Sequence, residues 1–257
     1  MSASILDHPA ISSRYFFPRL GRLDAPFWVD CGTHKLACHL HAPHPGARTL
    51  VHFHGNGEIV PDYLGDFVEA VASLGLNTFL VEYRGYGQSE GEPALTSMLD
   101  DVEVALEALG KPAQELILFG RSVGSIYAIH GASRWPEVAA LVIESGIADP
   151  LQRVLLRVRP DEIGATMAAM QEAADQHLNH QRKMGAYTGP TLIMHTLYDN
   201  IVHVDHAERL AQWSGAEATL EIFSKGDHNS ILYANAPAYF AALKALIDGL
   251  PPLTTAR

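Results

Sequence analysis

Cysteine is scarce in this sequence, which has only Cys31 and Cys38 among 257 residues. Two cysteines are too few for the disulfide framework of small secreted domains, and we favour two reduced thiols over a bridge between them. Long apolar runs are also missing, since none approaches the roughly 18 residues that span a bilayer. Asp7, His8 and Pro9 interrupt the segment where a signal peptide would need an apolar core. We therefore expect a cytoplasmic protein without a transmembrane segment.

Basic residues are the third deficit. The chain has 18 Lys and Arg against 29 Asp and Glu, a formal net charge of −11 with His neutral. Nucleic-acid affinity depends largely on clustered Lys and Arg, and no such cluster exists here, so we expect no nucleic-acid partner. Hydrophobic residues make up 47% of the chain and charged residues 18%, which excludes a disordered protein. Without an internal repeat or a long linker, we predict one domain over 1–257.

Short apolar runs alternate with amphipathic stretches from residue 35 onward. The predicted strands are 36–40, 49–53, 78–82, 116–119, 140–143, 191–194 and 219–223, and the predicted helices are 61–74, 94–109, 122–133, 204–213 and 237–248. Several runs are apolar throughout, as strands covered on both faces should be, and the alternation predicts an α/β fold with a mostly parallel sheet. Residues 1–30, broken by three prolines, are predicted to be irregular.

A long stretch between the strands at 140–143 and 191–194 exceeds the length of one crossover helix. It is rich in Ala and Met at helical spacing, and we predict that 149–187 form a small helical cap insertion. Because pockets are mostly apolar and Met adapts to varied ligands, Met167 and Met170 are predicted to bind substrate. Packing between helices is the alternative explanation of these Ala and Met residues.

Gly-x-Ser-x-Gly, the pattern of a nucleophile elbow, occurs around Ser122 and again around Ser89. An elbow needs a strand running directly into the first Gly and a helix leaving directly after the Ser. Residues 116–119 and 125–129 meet this requirement for Ser122. Ser89 comes several residues after a strand, and Pro93 delays any helix beyond it. We predict that Ser122 is the nucleophile and that Ser89 lies in a loop.

A serine nucleophile needs a base to take its proton and an acid to orient that base. His228 directly follows the last predicted strand, and Asp199 directly follows the strand before it, in the order Ser, Asp, His. We predict these two residues as base and acid. Glu144 and Asp149, after an earlier strand, are the weaker alternative for the acid. Glu144 should instead form an ion pair with Arg121, because their two strands are expected to be neighbours.

Donors for an oxyanion are predicted at the end of the strand at 49–53. Gly55 and Gly57 free the backbone there to aim amides at a substrate, and both are predicted to contribute to substrate binding. We assign the backbone amides of Asn56 and Val123 as the two oxyanion donors. A plain turn at a strand end is the alternative for this segment.

Two pairs of histidines share strand faces, His39 with His41 and His52 with His54. Paired histidines of this kind suggest a metal site. No carboxylate or cysteine at matching spacing completes either pair. We therefore predict no metal.

Taken in order, these motifs resemble the α/β-hydrolase superfamily over residues 35–250. The resemblance rests on His54-Gly55-Asn56-Gly57, Tyr83-Arg84-Gly85-Tyr86-Gly87, Ser89, Gly91, Gly120-Arg121-Ser122-Val123-Gly124, Asp199, Val202 and His228-Asn229. It is strongest to the branch of bud-emergence-type proteins and eukaryotic α/β-hydrolase-domain depalmitoylases. One departure is His195-Thr196, where that branch has His-Gly.

The resemblance implies an eight-stranded, mostly parallel sheet flanked by helices, and hydrolysis of a carboxylic ester or thioester. Together with the residues above it predicts a serine hydrolase that acts on a small-molecule acyl substrate and needs no cofactor. An aminopeptidase or a cofactor-free perhydrolase would use the same residues. A binding protein that retains the triad with little turnover is the alternative from another class.

Overall fold

The sheet and its helices are described by a computed structural model that covers residues 4–253. Within that range the strands are β1 Phe27–Asp30, β2 Lys35–His41, β3 Thr49–Phe53, β4 Asn77–Val81, β5 Leu116–Arg121, β6 Ala140–Glu144, β7 Thr191–Thr196 and β8 Ala218–Phe223. The α-helices are α1 Pro9–Tyr15, α2 Asp66–Ser73, α3 Met98–Ala108, α4 Gly124–Arg134, α5 Pro150–Leu155, α6 Met167–Leu178, α7 His180–Ala186, α8 Asp205–Trp213 and α9 Ile231–Asp248.

The strands form one sheet in the order β1-β2-β4-β3-β5-β6-β7-β8. β2 is antiparallel to both β1 and β4, and the remaining pairs are parallel. This confirms the predicted eight-stranded, mostly parallel sheet. Since the carboxyl ends of β5 to β8 meet at one edge, the loops after these strands are brought together there, where open α/β sheets bind ligands.

Two apolar clusters cover the two faces of the sheet. β3 to β7 are buried along their whole length, as strands between helical layers must be. Alternate residues of β5 serve opposite faces: Leu118 packs with Tyr127 of α4, whereas Ile117 and Phe119 pack with Phe67 of α2. α3, α4 and α8 cover one face, and α2 and α9 cover the other.

Two predictions of local structure are wrong. Residues 1–30 are not irregular, because they contain α1 and β1. Pro9 occupies the first turn of α1, where its missing N–H and fixed φ suit a helix. α9 begins at Ile231, before the predicted start at 237, and it has a kink at Asn235, whose φ of −131° is not helical. Pro237 therefore lies inside a kinked helix and does not begin one.

The region 149–187 holds three helices. α6 packs against α5 and against the short 3-10 turn Ile5–Asp7, while α7 packs against α4 and α8.

Cys31 and Cys38 are both free thiols. Over residues 4–253, the helices are all too short or too polar to cross a membrane.

Candidate active site

Ser122 lies in a sharp turn between β5 and α4. Its φ of +52° is a left-handed conformation that a residue with a side chain seldom adopts. Its amide donates to the carbonyl of Glu144 at 2.8 Å, which extends the β5–β6 ladder beyond the strand. A Cβ at Gly120 would lie 2.6 Å from the carbonyl oxygen of Gly124, and a Cβ at Gly124 would overlap the carbonyl oxygen of Phe53. Glycine is therefore required on both sides of the serine.

The side chains of Ser122, His228 and Asp199 form one hydrogen-bonded chain. His228 Nε2 lies 2.9 Å from Ser122 Oγ, and His228 Nδ1 lies 2.7 Å from Asp199 Oδ2. All three residues are buried. With the imidazole proton on Nδ1 donated to the carboxylate, Nε2 is left to accept the serine proton. The structure thus brings together the three residues that the sequence predicted as nucleophile, base and acid.

Asp199 is held as a carboxylate. Burial acts to raise the pKa of Asp199, but the hydrogen bond and charge of His228 and the amides of Ile201 and Val202 outweigh burial and lower that pKa below its usual range. The two amides donate to Asp199 Oδ1 at 2.9 and 2.8 Å. The weaker alternatives for the acid are engaged elsewhere: Glu144 pairs with Arg121, and Asp149 accepts from the amide of Gln152 at the start of α5.

The sequence departs from the family pattern at Thr196, which is buried at the end of β7, and its neighbour His195 lies fully buried in the same strand beside Asp199. His195 Nε2 donates to the carbonyl of Val202 at 2.8 Å and lies 3.4 Å from Asp199 Oδ2. Burial lowers the pKa of His195, so this ring is neutral. His195 therefore does not displace His228 from Asp199, which keeps its 2.7 Å contact with His228 Nδ1.

A cavity of about 240 Å³ opens beside Ser122 and His228. Asn56 and Val123 both line it, and within residues 4–253 neither backbone amide has a protein acceptor. The side chain of Asn56 fixes its loop, because Nδ2 donates to the carbonyl of Tyr15 at 2.5 Å and Oδ1 accepts from the amide of Phe17 at 2.9 Å. Two residues with free backbone amides thus line the same cavity as Ser122.

Arg121 connects the serine turn to the loops on either side. Its Nε lies 3.0 Å from Glu144 Oε1, which confirms the predicted ion pair. Its Nη1 also pairs with Glu58 at 2.5 Å, and its Nη2 donates to the carbonyl of His228 at 3.0 Å. Burial acts to lower the pKa of Arg121, but the two carboxylates outweigh it and raise that pKa. Glu58 in turn accepts from the amide of Gly55 at 2.6 Å.

The four residues predicted to bind substrate do not line this cavity. Gly55 lies against the Arg121 guanidinium. Met170 is buried in the core, and Met167 is 43% exposed on α6. Gly57 has a positive φ and lies near Phe17.

The walls of the cavity include instead residues that the sequence did not single out, Tyr15, Phe17, Arg153 and Arg157. No local signal marks them, because their place depends on how distant segments fold back over the sheet.

The second Gly-x-Ser-x-Gly motif lies in a loop. Ser89 Oγ accepts from the amide of Ala37 in β2 at 2.8 Å, and Ser89 does not line the cavity. Gly87 has φ +57°, and a Cβ there would overlap the carboxylate of Glu82. That carboxylate pairs with His54 Nε2 at 2.7 Å. The motif therefore allows the chain to pass close to a buried ion pair.

One cluster of possible metal ligands lies away from the cavity. The ligand atoms of Cys31, His34 and Asp101 lie within 4.8 Å of one another. Arg84 already binds Asp101 through two contacts of 2.6 Å, and burial raises the pKa of the Cys31 thiol to about 12. A protonated thiol and a carboxylate committed to arginine are poor metal ligands, so this cluster fits an ion pair better than a metal.

Comparison with known proteins agrees with the fold. A family model described as serine aminopeptidase, S33, matches residues 44–168. Alpha/beta hydrolase domain-containing protein 17C of Xenopus laevis is 30% identical over 212 residues, which cover 79% of this chain and 63% of that protein. Mouse alpha/beta hydrolase domain-containing protein 10 superposes with a TM-score of 0.71 at 20% identity, over 87% of this chain and 98% of that one.

A structure of Est1E from Butyrivibrio proteoclasticus with ferulic acid bound has a TM-score of 0.70 at 17% identity, over 86% of this chain and 97% of the other. Together with the sheet order, these structural matches show that the chain has the α/β-hydrolase fold. Its sequence is similar to that of alpha/beta hydrolase domain-containing protein 17C, of whose length it spans 63%.

Proposed function

We propose that this chain hydrolyses carboxylic esters or thioesters through an acyl-enzyme formed on Ser122. The observation that carries the proposal is the buried chain of contacts from Asp199 through His228 to Ser122, at 2.7 and 2.9 Å. This is the arrangement that activates a serine hydroxyl, with the base in reach of the nucleophile and the acid in reach of the base.

In the proposed reaction, Ser122 Oγ attacks the acyl carbon while its proton passes to His228 Nε2. The carbonyl electron pair moves onto oxygen, and the amides of Asn56 and Val123 donate hydrogen bonds to that oxyanion. Collapse expels the alcohol or thiol, which takes the proton from His228. Water then attacks the acyl carbon, gives its proton to His228, and Ser122 leaves with that proton. Asp199 holds the imidazole throughout.

We propose further that 149–187 act as a helical cap on this site within a single domain. α5 supports this role, because Arg153 near its end and Arg157 just beyond it line the same cavity as Ser122. A cap excludes water and strengthens the hydrogen bonds to the oxyanion.

An aminopeptidase is the second candidate, and the family model named serine aminopeptidase favours it. Esters and anilides of the same amino acid separate the two, because an aminopeptidase must also cleave the amide bond. Hydrolysis of the ester alone supports the esterase.

Replacement of the two motif serines tests the mechanism. Ser122→Ala should abolish labelling by a fluorophosphonate and lower turnover of p-nitrophenyl butyrate by several orders of magnitude, as loss of a triad nucleophile does. Ser89→Ala is the matched control and should retain both, because its hydroxyl only accepts a backbone hydrogen bond.

Two outcomes would contradict the proposal. Retention of activity in Ser122→Ala with loss in Ser89→Ala would assign the nucleophile to the other motif. If the parent protein turns over no ester, thioester or peptide, the chain acts as a binding protein that keeps the triad.

A further inference from the structure

Two arginines on one helical face point to a property of the substrate. Arg153 is half-buried near the end of α5, and Arg157 follows four residues later in the turn that continues it. Residues at this spacing lie on the same side of a helix. Val154 and Val158 between and beside them are buried, which fixes the orientation of the turn. Both arginines line the cavity that contains Ser122.

These guanidinium groups lack the partners that neighbouring arginines have. Within residues 4–253, no carboxylate lies within 4.0 Å of Arg153 or Arg157, whereas Arg159 pairs with Asp161. The third arginine of the cavity, Arg121, is neutralised by its two glutamates. No Asp or Glu of the described chain lines the cavity. A protein with a net charge of −11 thus has a positive active-site cavity.

A third donor faces the same space. Tyr15 is buried at the end of α1 and lines the cavity, and its hydroxyl has no hydrogen-bond partner within the described residues. Burial raises the pKa of Tyr15, so the phenol is protonated and can donate. The charges of Arg153 and Arg157 act to lower the pKa of Tyr15, and all three residues line the same cavity.

Arg157 packs against Phe17, whose amide is hydrogen-bonded to the side chain of Asn56. Its guanidinium carbon lies 5.7 Å from the centre of the Phe17 ring, within the range of a cation–π contact. The amide of Phe17 donates to Asn56 Oδ1 and to the hydroxyl of Tyr86, at 2.9 and 3.0 Å. Arg157 therefore packs against a residue that is hydrogen-bonded to Asn56, whose amide is a proposed oxyanion donor.

We infer that the substrate carries an anionic group, a carboxylate or a phosphate, which Arg153, Arg157 and Tyr15 bind beside the scissile acyl bond. The inference rests on the proposed function and names its substrate class. Arginine suits this task because its planar fork binds carboxylate and phosphate oxygens in pairs, and such bonds are stronger than those between neutral groups. The anion belongs either to the acyl chain or to the leaving group.

Two pairs of substrates distinguish these sources. Mono-p-nitrophenyl adipate and its methyl ester differ only by a carboxylate on the acyl chain. Hexanoyl-4′-phosphopantetheine and hexanoyl-pantetheine are thioesters of the same acid that differ only by a phosphate on the leaving group. We expect kcat/KM to favour the anionic member of one pair by about tenfold or more, and added salt to reduce this ratio.

Replacement of both arginines then tests the assignment. In Arg153→Gln/Arg157→Gln the ratio of anionic to neutral kcat/KM should fall by about tenfold or more, because two charged hydrogen bonds are lost. Tyr15→Phe should lower it less. The matched control is Arg159→Gln, which removes an exposed arginine of the same region that pairs with Asp161 and should leave the ratio unchanged.

A parent ratio near one for both pairs, or an unchanged ratio in the double variant, overturns the inference. Either result with continued hydrolysis of the neutral esters leaves the proposed function intact. If the parent hydrolyses none of the four substrates, the proposed function fails and this inference fails with it.

Discussion

Arg121 is the residue at which the turn of the serine, the loop of the histidine and the loop of the oxyanion donor are joined. It bonds Glu144, Glu58 and the carbonyl of His228, and Glu144 also accepts from the hydroxyl of Tyr239 at 2.5 Å. A buried ion pair is costly to break from one side, because the remaining charge has no solvent and no partner.

We expect Arg121→Met to lower the free energy of unfolding by about 3–5 kcal/mol, the usual cost of leaving a buried charge unpaired, because Glu144 and Glu58 lose their common partner. Glu144→Gln should cost less, because Arg121 keeps its ion pair with Glu58. The double variant should lose less than the sum of the two. Urea unfolding of the parent and all three variants gives the coupling energy. Additivity within about 0.5 kcal/mol would mean that the two residues do not interact.

His54 is a second buried charge near the site. Its Nδ1 bonds the carbonyl of Gly55 at 2.8 Å and its Nε2 bonds Glu82, and since both partners accept, both nitrogens carry protons. Burial acts to lower the pKa of His54, but the charge and hydrogen bonds of Glu82 and Gly55 outweigh it, so the folded pKa lies above the usual 6.5.

A histidine with a raised pKa stabilises the folded state fully below its unfolded pKa, and the contribution is lost as the pH rises through the folded pKa. His54→Gln should therefore destabilise the protein more at about pH 6 than at about pH 9, as measured by urea unfolding. The exposed His203→Gln is the control and should cost little at either pH. An equal cost of His54→Gln at both values would contradict a charged His54.

At the scale of elements, the contact between β3 and α4 sets the position of the serine. Gly124 in the first turn of α4 touches the backbone of Phe53, and this brings the end of β3, with its following loop, against Val123. Gly131 lies in the same helix, but a Cβ there would meet side-chain methyl groups and no backbone, with Leu118 at 2.8 Å and Leu106 and Val102 at 3.4 Å.

Gly124→Ala should lower both stability and ester turnover, whereas Gly131→Ala should have a smaller effect on both. Each change raises helix propensity by about 1 kcal/mol, so the pair isolates the backbone contact. Thermal unfolding and kcat/KM for p-nitrophenyl butyrate measure the two effects. Equal losses in both variants would show that the close approach of β3 is not required.

The elements predicted well from sequence are those with a strong period. The buried parallel strands are mostly apolar runs, and the sequence predicts each to within a few residues because burial on both faces leaves few polar positions. β1 escaped prediction because it is a short edge strand with an exposed Trp28. α1 escaped prediction because a proline was expected to prevent a helix there, whereas Pro9 lies in the first turn of the helix.

The candidate site likewise contains residues that the sequence predicts and residues that it does not. Ser122, Asp199 and His228 each directly follow a strand, and parallel strands bring such positions to one edge, so order along the chain predicted their meeting. Arg153 and Tyr15 reach the cavity from a helical insertion and from a segment before the sheet. Their place is set by tertiary packing, which leaves no spacing pattern in the sequence.

At the scale of the whole molecule, the carboxylate of Asp7 attaches the segment before the sheet to the start of α3. Asp7 accepts hydrogen bonds from the amides and hydroxyls of Thr96 and Ser97, just before α3, with the shortest at 2.6 Å. Leu6 and Ile11 are fully buried beside it. Through α1 this anchor supports Tyr15 and Phe17 at the cavity.

Asp7→Ala should raise KM for esters more than it lowers kcat, because it loosens one wall of the cavity and leaves the reacting residues in place. Steady-state kinetics measures this, and the exposed Asp24→Ala serves as the control. An unchanged KM in Asp7→Ala would show that the wall does not depend on this anchor.

The position of β5 in the sheet has a consequence for amide hydrogen exchange. β5 pairs with parallel neighbours on both sides, so its amides become accessible to deuterium only when the central sheet separates. α5 is a short peripheral helix, and its amides can exchange through local opening. Mild heating therefore releases the cavity wall first, while Ser122 keeps its place until the whole protein unfolds.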